Sequence, residues 1–406
     1  MRGVAAVTID DIPDHCLASI FQLFPPHNRK KLYLVCRRWL RVAGQTHHRL
    51  RLTLPYSTIL ASIFSRFDFV TDLTLQCPEF MSMCDGFLAV ISDLFPYLTR
   101  LRISNCCYLS YSRLEVLARS CQRLKMFSCT SCFFGPNAID ALIHHCTTLE
   151  QLSMEHSTVT NHGAQFLIVY PLIRAKNLTT VKIVQCSVDE SWDRFLLWLA
   201  SQVTSLREVH LDGCSVSDNG LRTISKFQNL ETLHLVIHKC THAGLVAVAE
   251  GCNKSLRKLR IGLSNKIGNE GLIAFAKCCG NLQELVLVGM NPSQGSLDVL
   301  ASNCQSLERL ELWGSNTFGE TEICCIAEKC VALKGILIKG CPRVNDRDIE
   351  TLAAKCPKLV KLKVLKCISV TERDEYLIYG GRLVHVTCMS GMKIHKIVYR
   401  AMRLVY

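Results

Sequence analysis

One motif returns along most of this chain at a nearly constant interval. Apolar residues at its first, fourth and sixth positions start at Leu98 and continue through Leu101 and Ile103. The motif starts again at Leu124, Leu149, Leu178, Leu206, Leu230, Leu256, Leu282, Leu307, Leu333 and Leu359. A weaker earlier copy starts at Val70 and runs through Leu73 and Leu75. From Leu98 onward the starts are 24 to 29 residues apart. A period of this size marks one supersecondary unit repeated many times, not a set of independent domains. Apolar residues two apart at the fourth and sixth positions read as the inward face of a short strand.

The second half of each repeat carries a different period. Leu114, Leu117, Ala118 and Cys121 fall at i, i+3, i+4 and i+7, and so do Leu272, Phe275, Ala276 and Cys279. These are one-sided stripes on short helices. Ser217-Asp218 and Asn269-Glu270 stand just before such stripes as start signals. A strand followed by a helix cannot bury its apolar side alone, so neighbouring repeats must stack. The expected class is α/β: a right-handed solenoid of about 12 repeats, with parallel strands on the concave face and helices on the convex face.

The register also places the cysteines, of which there are 24 in 406 residues. Cys121, Cys146, Cys252, Cys279, Cys304, Cys330 and Cys356 close the helical stripe. Cys106, Cys132, Cys186, Cys214, Cys341 and Cys367 stand eight residues after the first leucine of a copy, where a small side chain packs and weakly hydrogen-bonds turn backbone. Cys129 and Cys132 have metal-ligand spacing and His144-His145-Cys146 follows, but no second ligand pair is in register, so buried thiols and no metal are expected. This alternation resembles the cysteine-containing class of leucine-rich repeats.

The opening residues MRGVAAVTIDDIPDHC lack the apolar stretch of a signal peptide. No apolar run nears the ~20 residues of a membrane span, and the longest, Phe166 to Ile173, contains Pro171. The expected location is the nucleus, the cytoplasm or both, with no membrane partner, and the sequons at Asn177 and Asn253 then stay unmodified. The formal charge is +13, from 47 lysines and arginines against 34 acids. Basic residues spread over all repeats with no aromatic stacking platform between them, so no nucleic-acid partner is expected. H-E-x-x-H, G-x-S-x-G and G-x-G-x-x-G are absent, and Gly335 to Gly340 has phosphate-loop spacing but is followed by Cys341 instead of lysine.

Before the repeats the pattern changes. Leu17, Ile20, Phe21 and Phe24 form one helical stripe, Pro25-Pro26 ends it, and Leu32, Val35, Cys36 and Trp39 form a second. Residues 12–21 read Ile-Pro-Asp-His-Cys-Leu-Ala-Ser-Ile-Phe and residues 34–39 read Leu-Val-Cys-Arg-Arg-Trp. Together they resemble an F-box, with Ile12 in place of the usual leucine. The whole chain is similar to F-box/leucine-rich-repeat proteins. Segments such as 281–287 and 359–364 look closest to the plant VIER F-box subfamily of Skp-interacting partners.

The resemblance implies an F-box at 8–48, a linker and first solenoid cap at 49–69, repeats at 70–390 and a C-terminal cap or tail at 391–406. It implies a non-catalytic substrate receptor of an SCF (Skp–cullin–F-box) ubiquitin ligase, working by proximity. Ile12, Pro13, Leu17, Ile20, Phe21, Val35 and Trp39 would face the Skp adaptor, with cullin and RING subunits reached through it. Residues 1–60 hold nine basic side chains against three acids, which favours encounter with an acidic adaptor.

The outward strand positions are the third, fifth and seventh of each copy. From Leu230 onward they include apolar residues where a solvated face is ordinarily polar. Val236, Val286, Val288, Trp313, Leu337 and Leu365 are the apolar set. Lys258, Arg260, Arg309, Lys339, Lys361 and Lys363 surround it. This predicts a protein substrate with acidic and apolar surface. His210 and Asp212, adjacent on this face, read as surface contacts. Two alternatives stand beside the receptor reading: a hormone and inositol-phosphate co-receptor, for which the even spacing leaves no long insert, and a plain repeat scaffold. No cofactor is expected beyond that inositol polyphosphate.

Overall fold

The computed structural model describes residues 9–53, 67, 69–77, 84–106, 108–135, 137–160, 176–188, 192–237, 239–252, 255–263, 269–379 and 382–389. They fall into two compact units, Met1–Leu178 and Thr179–Tyr406.

The first unit opens with three helices, α1 (Asp14–Leu23), α2 (Pro26–Leu32) and α3 (Arg37–Gln45). Pro25 and Pro26 end α1 and open α2, where a missing N–H costs nothing. The second sequence stripe is not one helix, because the backbone is extended at Cys36, whose Sγ accepts the Trp39 N–H at 3.4 Å as the cap of α3. Leu17, Phe21, Leu32, Val42 and Ala43 form the core of this module, with Ile12, Ala18, Tyr33 and Trp39 packed on it. Asp14 ties the entry of α1 to α3 through Arg38 and Arg41, each at 2.8 Å.

The strands of this unit are β1 (Arg49–Thr53), β2 (Asp72–Gln76), β3 (Arg100–Ser104), β4 (Met126–Thr130), β5 (Phe133–Phe134), β6 (Gln151–Glu155) and β7 (Thr158–Val159). β1, β2, β3, β4 and β6 pair in that order, all parallel, and β5 pairs with β7. The stretch read as a linker therefore already contributes a strand, and the sheet begins before the Val70 copy. Helices α4 (Cys84–Leu94), α5 (Tyr111–Ser120) and α6 (Ala138–His145) follow β2, β3 and β5.

The second unit contains β8 (Thr180–Val184), β9 (Ser187–Val188), β10 (Glu208–Asp212), β11 (Thr232–Ile237), β12 (Lys258–Leu263) and β13 (Glu284–Val288). It continues with β14 (Arg309–Trp313), β15 (Gly335–Lys339), β16 (Lys361–Leu365), β17 (Arg373–Tyr379) and β18 (Arg382–Met389). β8, β10 to β16 and then β18 pair parallel in that order, while β17 pairs antiparallel with β18. The interleaved helices are α7 (Asp193–Gln202), α8 (Asp218–Ile224), α9 (His242–Gly251), α10 (Asn269–Cys278), α11 (Gln294–Asn303), α12 (Glu320–Lys329) and α13 (Asp346–Lys355). The proposed cap or tail at 391–406 lies outside the described residues.

The repeat motif is the inner layer of the repeat strands in both units. Leu101, Ile103, Leu310 and Leu312 are enclosed, as are the stripes Leu114/Leu117 and Leu297/Leu300 behind them. Full burial of such side chains stabilises by about 1.5–3 kcal/mol each. After most strands one residue turns left-handed and donates its N–H to the neighbouring strand's last carbonyl. Gly314, at φ 67°, donates to Lys339 at 2.7 Å, and Ser131, at φ 56°, donates to Glu155 at 2.9 Å.

Short polar side chains join the start of a helix to the corresponding point of the next repeat. Asp218 accepts the Thr241 N–H and hydroxyl, both at 2.7 Å, and Asp346 serves Thr371 the same way at 3.1 and 2.7 Å. The Ser217 cap is present, with its hydroxyl accepting the Asn219 N–H.

Both cysteine slots are buried and lie against carbonyls of the preceding repeat. Cys146 Sγ is 3.3 Å from the Leu124 carbonyl, and Cys214 Sγ is 3.2 Å from that of Ile183. Burial pushes the thiols of Cys121, Cys214, Cys252, Cys279 and Cys330 up to about 12, so they stay protonated. Cys129, Cys132 and Cys146 each face backbone carbonyls, and no His/Cys/acid group able to hold a metal occurs among the described residues.

Candidate protein-binding surfaces

Parallel pairing without slippage aligns the outward residues of β10 to β16 in rows. One row reads Asp212, Val236, Gly262, Val288, Trp313, Lys339 and Leu365. The row beside it reads His210, His234, Arg260, Val286, Glu311, Leu337 and Lys363. The third reads Glu208, Thr232, Lys258, Glu284, Arg309, Gly335 and Lys361. Every residue predicted for the substrate patch thus lies on one sheet face.

Trp313 is the centre of that face. The Arg260 guanidinium lies 4.4 Å and the Lys339 ammonium 4.5 Å from its ring centroid. Its Nε1–H donates to Glu311 at 3.2 Å. Two cations against an indole and a carboxylate on its edge hold the ring in one orientation before any partner arrives. Gly262 leaves room that Val236 and Val288 enter, since a Cβ there would meet them at 3.1 and 3.0 Å. Val286 is nearly enclosed and forms the floor of the patch instead of its contact surface. The predicted basic rim is partly neutralised, because Glu284 lies 3.9 Å from Lys258 and 3.7 Å from Arg309.

His210 does not pair with Asp212. Its Nε2 lies 2.6 Å from Glu208, which also meets Lys182 at 3.2 Å. The His210 hydrogen bond and the Lys182 cation hold the Glu208 carboxyl down at about 2. The ring centroid of His234 is 3.8 Å from that of His210. Burial, with His210 and Arg260 nearby, pushes His234 down to about 3, so it is neutral at ordinary pH. Side chains on three successive strands build this cluster, and no local motif announces it.

In the N-terminal module the residues predicted to face an adaptor divide into two groups. Leu17 and Phe21 are 0% and 1% exposed and belong to the module's own core, so they support a surface and do not form it. The Trp39 ring lies tilted against Phe21, centroids 4.8 Å apart, and, like Ile12, is partly covered. Pro13 and Ile20 are exposed, as is Val35. Leu34, 85% exposed, and Leu23, 84% exposed, were not predicted, although isolated apolar residues flanking both stripes were the available signal.

The leucine-rich-repeat family model matches residues 204–225 and 252–276. The crystal structure of the Rad7 and Elc1 complex in yeast superposes with a TM-score of 0.50 at 17% identity, over 91% of each chain.

The chain carries leucine-rich repeats.

In sequence the repeat protein is similar to F-box/LRR-repeat protein 12 of Arabidopsis thaliana, at 23% identity over 68% of this chain and 72% of that one. It is also similar to a transport inhibitor response 1-like protein of Oryza sativa subsp. japonica, at 23% identity over 78% of this chain and 60% of that one. The repeat protein therefore spans about three fifths of the second relative's length. Both similarities extend beyond the two matched repeat segments.

Proposed function

We propose that this chain is the substrate-recognition subunit of an SCF ubiquitin ligase, acting in the nucleus or cytoplasm, and that it makes and breaks no bonds itself. The observation that carries the reading is the N-terminal module. A five-residue core holds up exposed apolar side chains that a free-standing cap would have no reason to present. The F-box named in the first relative supports it, as does the VIER-like sequence of this chain. The Skp adaptor docks on Pro13, Ile20, Leu34 and Val35, and cullin and RING subunits follow through the adaptor. The Trp313 face holds a protein substrate with acidic and apolar surface. Substrate lysines are thereby kept at high effective concentration near a charged conjugating enzyme.

Affinity capture of the full chain beside an Ile20→Asp/Val35→Asp variant tests the docking. Both positions are exposed, so the module keeps its fold while losing adaptor and cullin. Equal recovery of both from variant and parent would defeat the receptor reading. Trp313→Ala should weaken substrate binding by about 2 kcal/mol or more while leaving adaptor capture intact.

A further inference from the structure

The first unit carries a second, differently built surface. On the outward face of β1, β2 and β3 the register places Arg49 beside Asp72 and Asp72 beside Arg100, then Arg51 beside Thr74 and Thr74 beside Arg102. These six side chains line a groove of about 360 Å³. Asp72 is the only acid among them, with its side chain only 12% exposed, 2.7 Å from Arg102 and 3.9 Å from Arg49. Among the described residues Arg51 and Arg100 form no ion pair, and both are exposed. Four guanidiniums against one carboxylate leave a net charge of +3 on three adjacent strands.

Strands hold these arginines on a rigid frame, and like charges this close have a cost unless an anion joins them. Arginine presents paired N–H donors that match phosphate oxygens, and the Thr74 hydroxyl adds a donor on the groove floor. Asp72 bears on which anion fits. It occupies part of Arg49 and Arg102 and leaves Arg51 and Arg100 free, on opposite sides of Thr74 and Asp72. That suits one phosphoryl group of charge about −1.5 to −2 better than a densely charged polyphosphate, which would be held against a fixed carboxylate. The row next to the groove reads Thr53, Gln76, Ser104, Thr130 and Glu155, neutral hydrogen-bonding side chains apart from its last member. They offer partners to a peptide backbone crossing the strands.

We propose that this groove binds a phosphorylated serine or threonine within an extended segment of a partner protein. The site lies within the first unit and does not rest on the ligase reading.

The test uses the full chain and a fluorescein-labelled degenerate peptide with a fixed central phosphoserine, beside its unphosphorylated counterpart. Fluorescence anisotropy should show the phosphopeptide binding about tenfold tighter or more, a difference of about 1.4 kcal/mol. Arg51→Ala/Arg100→Ala should remove that preference with an unchanged melting temperature. Arg207→Ala/Lys226→Ala, an equal loss of charge on the second unit, should leave it intact. Inositol hexakisphosphate, titrated alone, distinguishes a free polyphosphate site. If it binds through Arg51 and Arg100 while the two peptides bind alike, the proposal is overturned. It is equally overturned if both double variants weaken phosphopeptide binding by the same factor, because the preference would then be bulk charge.

Discussion

The strands of the two units share the pattern of their inner layer and differ on their outer faces. In the first unit the outward rows on β1, β2, β3, β4 and β6 are basic and polar, with Met126 the one apolar member. In the second, valine, tryptophan and leucine collect around Trp313. The left-handed corners differ as well. Asn105, Ser131 and His156 hold them in the first unit, whereas Gly213, Gly289, Gly314 and Gly340 hold most of them in the second. Packing dictates the inner layer, where each side chain touches the next repeat. The outward positions touch solvent, so they are free to carry two recognition chemistries on one scaffold.

The sharpest way to break this comparison is to show that the inner layers are not equivalent. Leu101→Ala and Leu310→Ala each remove an enclosed strand side chain, and each should cost about 2–5 kcal/mol in denaturant unfolding. A loss under about 1 kcal/mol in either unit would mean that one sheet is not packed as described.

The corners come next. Gly340, at φ 62° with open space at its missing Cβ, should lose about 1 kcal/mol as Gly340→Ala, through backbone strain alone. Ser131→Gly, at φ 56°, should cost nothing or stabilise, and a loss as large as that of Gly340→Ala would show that the two sets of corners do different work.

On the outer face, Arg260→Ala should cost about 0.5–1 kcal/mol in the parent and almost nothing beside Trp313→Ala, because the cation and the ring hold one another.

The last effect concerns acid. His234 has a folded-state pKa near 3 against an ordinary 6.5, so the unfolded chain binds the proton first and stability falls as pH drops below 6.5. His234→Gln should flatten that fall between pH 6.5 and 4.5 by about 1 kcal/mol, since the ring keeps some solvent contact. The Glu208 contribution is lost lower, as pH falls from 4.5 toward about 2, and should survive in the variant.

Much of this protein was legible in one dimension. A leucine at a fixed step is a statement about a neighbour that carries the same leucine, so period, element order and both cysteine slots follow from spacing. The outward rows followed too, because strand alternation fixes which residues share a face. Local signals failed where a residue's role depends on what folds over it. Leu17 and Phe21 belong to a resembling motif, yet α3 closes on them and makes them core. Cys36 sits in a helical stripe, yet caps a new helix. Leu34 opens the second resembling stretch but lies outside the helical stripe, and it is 85% exposed.

The sequence by itself determined that strands and helices alternate and which side chains face inward, since these depend on short-range periodicity and burial. Only the tertiary structure decided which outward residues meet. The Arg260–Trp313–Lys339 stack, the His234–His210–Glu208–Lys182 cluster and the four arginines around Thr74 each join residues from three strands. Those strands lie about two dozen residues or more apart in the chain, and parallel register is what places them side by side.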